Sequence, residues 1–166
     1  AGTAPGRLRK FSFMNWPHFR PNAWTICLQE SGVQSEAAAP ILAIDCDPLA
    51  VTAARKNASA ASVEERIHFE EGLMEDLQAP TVEGILVMNP PYGERLGDVE
   101  RLRPVYADFG RICRDSFKGW TIGWILAHRK FESEVQIGCQ RLWSFSNGGI
   151  KVDIRKRSGR KKIEKS

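Results

Sequence analysis

The most informative segment of the chain reads Gly84-Ile85-Leu86-Val87-Met88-Asn89-Pro90-Pro91-Tyr92-Gly93-Glu94-Arg95-Leu96. Its first five residues are an apolar run, which predicts a short buried strand. Proline fixes φ and has no N–H, so Pro90 and Pro91 prevent the backbone from rejoining a β-ladder. The segment therefore predicts a strand that ends at the carboxyl edge of a sheet, the edge at which open α/β sheets bind their ligands.

Two side chains follow this strand in positions suited to a planar ligand. The amide of Asn89 offers one acceptor oxygen and two donor hydrogens, which suits an exocyclic amine such as that of adenine, guanine or a glutamine side chain. Because Asn89 precedes a proline, its backbone is held extended, and Tyr92 can stack on a base presented to the loop. A plain Pro-Pro loop with a capping asparagine is the alternative. We favour methyl transfer to an amine because the tetrapeptide directly follows the apolar run.

Strand and helix signals alternate around this segment. Strands are predicted over residues 41–45, 66–70, 85–88 and 120–127. Helices are predicted over residues 22–30, 49–60, 99–117 and 128–139. In the third helix the apolar residues fall at three- and four-residue steps, which predicts one buried face: Leu102, Val105, Tyr106, Phe109, Ile112 and Cys113. A hairpin closes the chain, with strands at 140–145 and 149–154 joined by Ser146-Asn147-Gly148. The order β-α-β-β-α-β-α-β-β predicts an α/β protein with a C-terminal antiparallel strand pair.

The positive charge of the chain is concentrated at its end. The 166 residues are 42% hydrophobic, enough for one domain with a sizeable core, and carry a net charge of +4. Residues 151–166 contain eight Lys/Arg and two Asp/Glu, whereas residues 1–150 contain 16 and 18. We expect a domain over residues 1–154 and a basic, flexible tail over residues 155–166. Such a tail is either a solvated end or a contact to nucleic-acid phosphates, and both interpretations stay open.

Composition argues against several other classes of protein. No apolar run approaches the ~20 residues needed to cross a bilayer, and the first residues lack the layout of a signal peptide. The four cysteines are widely scattered, which predicts reduced thiols in a cytoplasmic protein and neither a zinc site nor a disulfide framework. We therefore expect no membrane and no metal.

Acidic residues near strand ends are candidates for cofactor binding. Asp45 lies between an apolar strand and a helix, which fits the acid that accepts hydrogen bonds from a ribose diol; a helix cap is the alternative. Asp47 is better interpreted as that cap. Asp76 is a weaker candidate for holding an adenine amine, since Glu75 and Asp76 are equally consistent with surface charges. His128 is interpreted as a polar residue that begins a helix, not as a general base.

Further segments carry a resemblance to a known family. They are Ala4-Pro5-Gly6, Phe11-Ser12-Phe13 with Trp16, Ile44-Asp45-Cys46-Asp47-Pro48, Ala54-Arg55-Lys56-Asn57-Ala58, Asn89 to Leu96, and Asn147-Gly148-Gly149-Ile150-Lys151-Val152. With them nearly the whole chain resembles the RlmL-like guanine-N2 methyltransferases of bacterial large-subunit (23S) ribosomal RNA, which are often labelled N6-adenine DNA methylases. Asn-Pro-Pro-Tyr alone is shared with DNA adenine and protein glutamine methyltransferases, and the Gly-Glu-Arg-Leu extension narrows the match.

The resemblance implies a Rossmann-like fold dependent on S-adenosylmethionine and a ribosomal RNA partner. It places the target base against Asn89, Pro90, Pro91 and Tyr92, and the cofactor against Asp45, Cys46, Asp76 and Asn89. In such enzymes the base amine attacks the sulfonium methyl in line, and the protein mainly supplies position and hydrogen bonds. A target within a helix must first be flipped out. The alternatives are an N6-adenine DNA methyltransferase and a degenerate, non-catalytic RNA-binding fragment.

Two departures from the family matter. Its glycine-rich first motif and its RNA-binding THUMP module would lie before residue 1, and Leu73 stands where the family usually places an acid. The strand of the first motif normally lies between the strands that end at Asp45 and Asn89, so the resemblance implies a sheet incomplete at its N-terminal strand, with a gap at its centre. We therefore expect these 166 residues alone to bind S-adenosylmethionine weakly or not at all. Glu94 and Arg95 are consistent with a loop ion pair or with an RNA contact.

Overall fold

The structure is a computed structural model that describes residues 9–30, 39–93 and 98–159. The chain divides into two compact units, residues 1–73 and residues 74–166. Whether both belong to the single partial catalytic domain predicted over residues 1–154 stays a prediction.

The described residues of the first unit form two parallel strands and two α-helices. Its elements are α1 (Pro21–Glu30), β1 (Ile41–Asp45), α2 (Pro48–Ala60) and β2 (Ile67–Glu71). β1 and β2 pair in parallel from Ile41↔Ile67 to Asp45↔Glu71, with α2 as the connection between them. All four predicted elements are confirmed, with ends that differ from the predicted ones by at most one residue.

The second unit is built on a four-stranded mixed sheet. Its strands are β3 (Ile85–Met88), β4 (Thr121–Leu126), β5 (Gln140–Asn147) and β6 (Ile150–Arg157), in the order β3-β4-β6-β5. β3 and β4 are parallel, while β6 is antiparallel to both β4 and β5. Two α-helices accompany the sheet, α3 (Asp98–Asp115) and α4 (Glu132–Val135). The predicted C-terminal antiparallel pair is confirmed.

The core of the second unit lies between α3 and the sheet. In β4 the alternate residues Ile122, Trp124 and Leu126 are buried, as expected for a strand with one face on the core. Helix α3 buries the apolar face predicted from its three- and four-residue spacing: Tyr106, Phe109, Ile112 and Cys113. The ring of Phe131 stacks on that of Tyr106, with centroids 4.0 Å apart.

The helix predicted over residues 128–139 is wrong in length. Only a 3-10 turn at Arg129–Phe131 and the single turn of α4 form, and Gln136 ends them in a left-handed conformation with φ of 50°. Polar spacing suggested more turns, but the backbone of α3 approaches this point closely. A Cβ on Gly110 would lie 2.0 Å from the carbonyl oxygen of Val135.

The closing hairpin turns at residues 148–149, whereas residues 146–148 were predicted. Asn147 is the last residue of β5 and pairs with Ile150, so the turn consists of Gly148 and Gly149. Their φ angles are 58° and 87°, and two-residue hairpin turns with positive φ at both positions favour glycine. Asn147 therefore belongs to a strand and not to the turn.

Strand β6 continues to Arg157, three residues beyond its predicted end at Ile154. The guanidinium of Arg157 donates to the carbonyl oxygens of Cys113 (3.0 Å) and Phe117 (2.6 Å) at the end of α3. Arg155 donates to both carboxylate oxygens of Glu132, at 2.9 and 3.0 Å. Two cations of the predicted flexible tail are thus fixed in the fold, whereas residues 160–166 lie outside the described residues.

Strand β3 lies at an edge of its sheet with one side uncovered. Ile85 and Val87 are 72% and 77% exposed, although both are apolar strand residues. Within the described ranges the β1–β2 ladder and the four-stranded ladder form separate sheets. The strands of the described residues therefore form two separate ladders, and the gap that the resemblance implies between them stays a prediction.

Candidate functional site

The loop at Asn89–Gly93 leaves β3 at the carboxyl edge of the sheet. β3 and β4 run parallel with Met88 opposite Trp124, so Asn89 is the first residue beyond the ladder, as predicted. The ring of Pro90 is fully buried and anchors the loop, while Asn89 is exposed. The two prolines therefore fix a short backbone segment that presents the Asn89 amide to solvent.

The structure brings the two predicted polar side chains of the loop together. The hydroxyl of Tyr92 donates to Oδ1 of Asn89 at 2.9 Å. An amide oxygen has two lone pairs, so Oδ1 can accept a second hydrogen bond while Nδ2 donates. This pair can therefore hold a planar group that carries an N–H beside a hydrogen-bond acceptor. Stacking of Tyr92 on a base stays a prediction.

Tyr106 supports the loop from the core. Its hydroxyl donates to the carbonyl oxygen of Pro91 at 3.1 Å, while its ring packs on Phe131. Burial raises the pKa of the Tyr106 phenol above its usual range, with a smaller contribution from nearby Tyr92, so the hydroxyl stays a donor. The spacing of apolar residues predicts only that Tyr106 lies on the buried face of α3, since a helical pattern does not indicate the partner of a phenol.

Asn147 reaches the same loop from the C-terminal hairpin. Its Nδ2 donates to the hydroxyl oxygen of Tyr92 at 3.1 Å. The sequence pattern predicts Asn147 in the turn and indicates no role for it at the site. The contact spans 55 residues of sequence, and no local pattern indicates it.

A cavity of about 270 Å³ opens at the same edge of the sheet, at the end of β4. Leu126 and Ala127 line it together with Arg129, Lys151 and Asp153. A hydrogen bond of 2.5 Å from the Ser144 hydroxyl, with a smaller effect of nearby arginines led by Arg155, lowers the pKa of Asp153 below its usual range. The cavity therefore carries an ionised acid among cations.

In the first unit, Asp45 lies at the carboxyl end of β1, as predicted. Its Oδ1 accepts the backbone N–H of Asp47 at 2.9 Å, and the Oδ1 of Asp47 accepts the N–H of Leu49 at 2.8 Å. The second bond confirms Asp47 as the N-cap of α2. Asp45 and Cys46 are both exposed. They belong to a different unit from Asn89, and a cofactor site shared by the three residues stays a prediction.

The remaining candidates have simple surroundings. Asp76 is exposed at the end of the 3-10 turn Met74–Asp76, and its contact with an adenine amine stays a prediction. His128 directly precedes the 3-10 turn Arg129–Phe131, which confirms it as the residue before a helical turn. Glu94 and Arg95 lie outside the described residues.

In the described part of the chain, no group of three or more His, Cys, Asp or Glu side chains is placed to hold a metal ion. None of the helices in those ranges combines the length and apolar character of a membrane-spanning segment.

Known proteins that this chain matches in sequence are methyltransferases. A family model described as the RMKL-like methyltransferase domain matches residues 1–153. A ribosomal RNA large subunit methyltransferase K/L of Desulfotalea psychrophila is 33% identical over 153 residues, which cover 89% of this chain and 21% of that protein. Its counterpart in Methylococcus capsulatus is 35% identical over 159 residues, 93% of this chain and 22% of that protein. The chain thus spans about a fifth of the length of these relatives.

Two solved structures have folds similar to that of this chain. The crystal structure of SMU.472 in complex with SAH has a TM-score of 0.81 at 27% identity, covering 96% of this chain and 43% of that one. A protein from Clostridium difficile 630 has a TM-score of 0.80, also at 27% identity, covering 98% and 44%. The family resemblance and the Rossmann-like fold inferred from the sequence are both confirmed.

Proposed function

Because the chain belongs to the RMKL-like methyltransferase domain family, we propose that it carries the target-base site of an enzyme that methylates ribosomal RNA. The reaction is transfer of the methyl group of S-adenosylmethionine to the exocyclic amine of a guanine in the large-subunit RNA. The observation that carries the proposal is the hydrogen-bonded pair of Asn89 and Tyr92 on a proline-fixed loop at the carboxyl edge of the sheet. The names of the relatives supply the substrate class, and a ribosomal RNA substrate supports a cytoplasmic location.

In this mechanism the protein positions the amine and leaves its lone pair free to react. The Oδ1 of Asn89 accepts one amine N–H through the lone pair that Tyr92 does not use. Tyr106 fixes the backbone at Pro91, so that the amide stays aligned while the carbon–nitrogen bond forms. The methylated amine then loses its extra proton to water, which makes a strong general base unnecessary.

The first unit offers residues that fit the cofactor. S-Adenosylmethionine, when bound, supplies a methyl group on a positively charged sulfur. The exposed carboxylate of Asp45 is held in place by the Asp47 N–H and keeps acceptor capacity for a ribose diol. We propose that Cys46 also contacts the cofactor. Asp76 is assigned to the adenine amine of the cofactor, and Asn89 to its methyl end. SMU.472, which has a similar fold, was solved with SAH.

Tritium transfer distinguishes the two enzymatic alternatives. The full-length protein is incubated with tritiated S-adenosylmethionine and either undermethylated large-subunit RNA or DNA. The proposal expects label in the guanine of the RNA. Label found only in DNA would instead support the N6-adenine DNA methyltransferase, which the Asn-Pro-Pro-Tyr motif also fits.

Substitution of the motif asparagine separates catalysis from RNA binding. Asn89→Ala removes the amide that orients the amine, so turnover should fall by at least about 100-fold, while RNA affinity changes little. Asn22→Ala, on the exposed surface of α1, is the matched control and should behave as wild type. An equal loss of RNA affinity and turnover in Asn89→Ala would contradict the assignment.

A non-catalytic RNA-binding role predicts a different result. In that case the basic C-terminus carries most of the RNA affinity. The deletion that tests it must spare Arg155 and Arg157, because both have partners in the fold. Removal of residues 160–166 should leave turnover and most RNA affinity under the proposed function, and abolish RNA binding under the alternative.

A further inference from the structure

We propose that Asn147 is a positioning residue that sets which way the amide of Asn89 faces; the inference rests on the proposed function. Two hydrogen bonds connect the three side chains in series. The Nδ2 of Asn147 donates to the hydroxyl oxygen of Tyr92 at 3.1 Å, and that hydroxyl donates to Oδ1 of Asn89 at 2.9 Å. The hairpin is therefore joined to the target-base loop through one phenol.

The direction of this chain follows from the number of protons. A phenol hydroxyl has a single proton, and the NH₂ of Asn147 can only donate. Tyr92 must therefore accept from Asn147, and its proton is left for Asn89. Only the oxygen of the Asn89 amide can accept that proton. Oδ1 then faces Tyr92, and Nδ2 faces away from it.

Without Asn147 this preference is lost. The hydroxyl oxygen of Tyr92 would then be able to accept from Nδ2 of Asn89, and the amide would have two orientations of nearly equal shape. In the reversed orientation Asn89 turns its donor group toward a substrate amine that is also a donor, so the orienting hydrogen bond is lost. Hydrogen bonds in series also reinforce one another, which favours the productive orientation further.

Rigid elements hold Asn147 in place. It is the last residue of β5, paired with Ile150 across the two-glycine turn. β6 connects this hairpin through β4 to β3, the strand from which the loop emerges. One end of the hydrogen-bonded chain, Asn147, therefore lies in this sheet, and the other, Asn89, directly follows one of its strands.

A double-mutant cycle in the full-length protein tests the inference. We measure kcat and KM for large-subunit RNA and for S-adenosylmethionine in wild type, Asn147→Ala, Tyr92→Phe and the double variant. Asn147→Ala should lower kcat roughly five- to tenfold, the effect of one hydrogen bond, with KM for S-adenosylmethionine unchanged. In the Tyr92→Phe background it should have no further effect, because the phenol through which it acts is absent.

Asn147→Asp gives a stronger test at nearly constant shape. A carboxylate accepts where the amide donated, so it takes the Tyr92 proton and reverses the chain. Its loss of kcat should exceed that of Asn147→Ala. Ser146→Ala, at the exposed neighbouring position of β5, is the control and should match wild type in both rate and melting temperature.

Two results would overturn the inference while leaving the proposed function intact: wild-type kcat in both Asn147 variants, or the same fold-loss with and without the Tyr92 hydroxyl. If the wild-type protein transfers no methyl group, the proposed function is refuted and kinetics cannot test the role of Asn147. A second measurement that does not depend on turnover covers that case. The side-chain amide resonances of Asn89, identified by their loss in Asn89→Ala, should shift in Asn147→Ala and stay in place in Ser146→Ala. Unchanged resonances in Asn147→Ala would refute the connection itself.

Discussion

Gly110→Ala should destabilise the second unit, although alanine is the better helix former. Gly110 lies in α3 at the point where the helix meets the end of α4. An added Cβ would lie 2.0 Å from the carbonyl oxygen of Val135 and 2.7 Å from its carbonyl carbon. Both atoms belong to backbone, which cannot turn aside as a flexible side chain can, so α3 and α4 must separate by well over an ångström.

The expected magnitude combines three effects. Overpacking of a well-packed contact costs about 1–3 kcal/mol. Arg114 donates to the Val135 carbonyl at 2.8 Å, and disturbing that bond costs about 1 kcal/mol more. Alanine in place of glycine returns about 1 kcal/mol of helix propensity. The free energy of unfolding should therefore fall by about 1–3 kcal/mol, and the melting temperature by roughly 4 °C per kcal/mol.

Urea denaturation followed by tryptophan fluorescence measures the change, since Trp120 and Trp124 lie in the affected core. Gly138→Ala is the matched control: no atom lies within 4 Å of its added Cβ, so its stability should stay within about 0.5 kcal/mol of wild type. If Gly110→Ala is as stable as wild type, the close approach of the two helices is not a constraint, and our explanation for the early end of the helical segment is wrong.

Three further predictions concern the same unit. Arg157→Ala should lower the free energy of unfolding by about 1–3 kcal/mol because two carbonyls at the end of α3 lose their donor. The control Lys156→Ala, at the adjacent position, should change that free energy by less than about 0.5 kcal/mol. Equal urea midpoints for the two variants would contradict the prediction. Burial raises the pKa of Cys113 to about 12, whereas an unfolded thiol titrates near about 8.5. The folded state therefore keeps a proton that the unfolded state loses, and stability should decrease as pH rises through this window, by up to about 1.4 kcal/mol per pH unit. Cys113→Ala should flatten that decrease, and an unchanged slope would count against the assignment. Arg155→Ala leaves the carboxylate of Asp153, which is 8% exposed, without its guanidinium partner. Calorimetry should therefore show that the free energy of unfolding falls by about 3 kcal/mol. A smaller decrease than in Lys156→Ala would exclude a structural role for the Arg155–Asp153 pair.

The secondary structure was predictable where its signals were local. Apolar runs gave β1 and β3, and the spacing of apolar residues gave the buried face of α3. Asp47 followed by Pro48 marked the start of α2, since a capping carboxylate and a proline at the first helical position act on neighbouring backbone.

Features that depend on distant contacts were not predictable. The helix beginning after His128 was overestimated because its end is set by the backbone of α3, which no residue within 128–139 indicates. The hairpin turn was predicted at residues 146–148 instead of 148–149 because both Asn-Gly and Gly-Gly suit such turns, and only the pairing of Asn147 with Ile150 decides between them.

The candidate site was likewise predictable only where its contacts are local in sequence. Asn89 and Tyr92 are three residues apart, so the sequence alone indicated that they act together, and their hydrogen bond confirms the proximity. The two groups that support them, Tyr106 and Asn147, come from α3 and from the hairpin. Both had been assigned to packing or to a turn, because a phenol or an amide gives no sign in sequence of the group it will meet.

The two-glycine turn between β5 and β6 limits how this protein can change in evolution. Side chains alternate between the two faces of a strand, so one inserted or deleted residue in the turn would carry Asn147 to the opposite face. Its partner Tyr92 would then lose the donor at 3.1 Å. In descendants that keep Asn at this position, the hairpin should tolerate substitutions along its exposed edge but no change in length. For the same reason, an affinity tag or fluorescent reporter should not be inserted there.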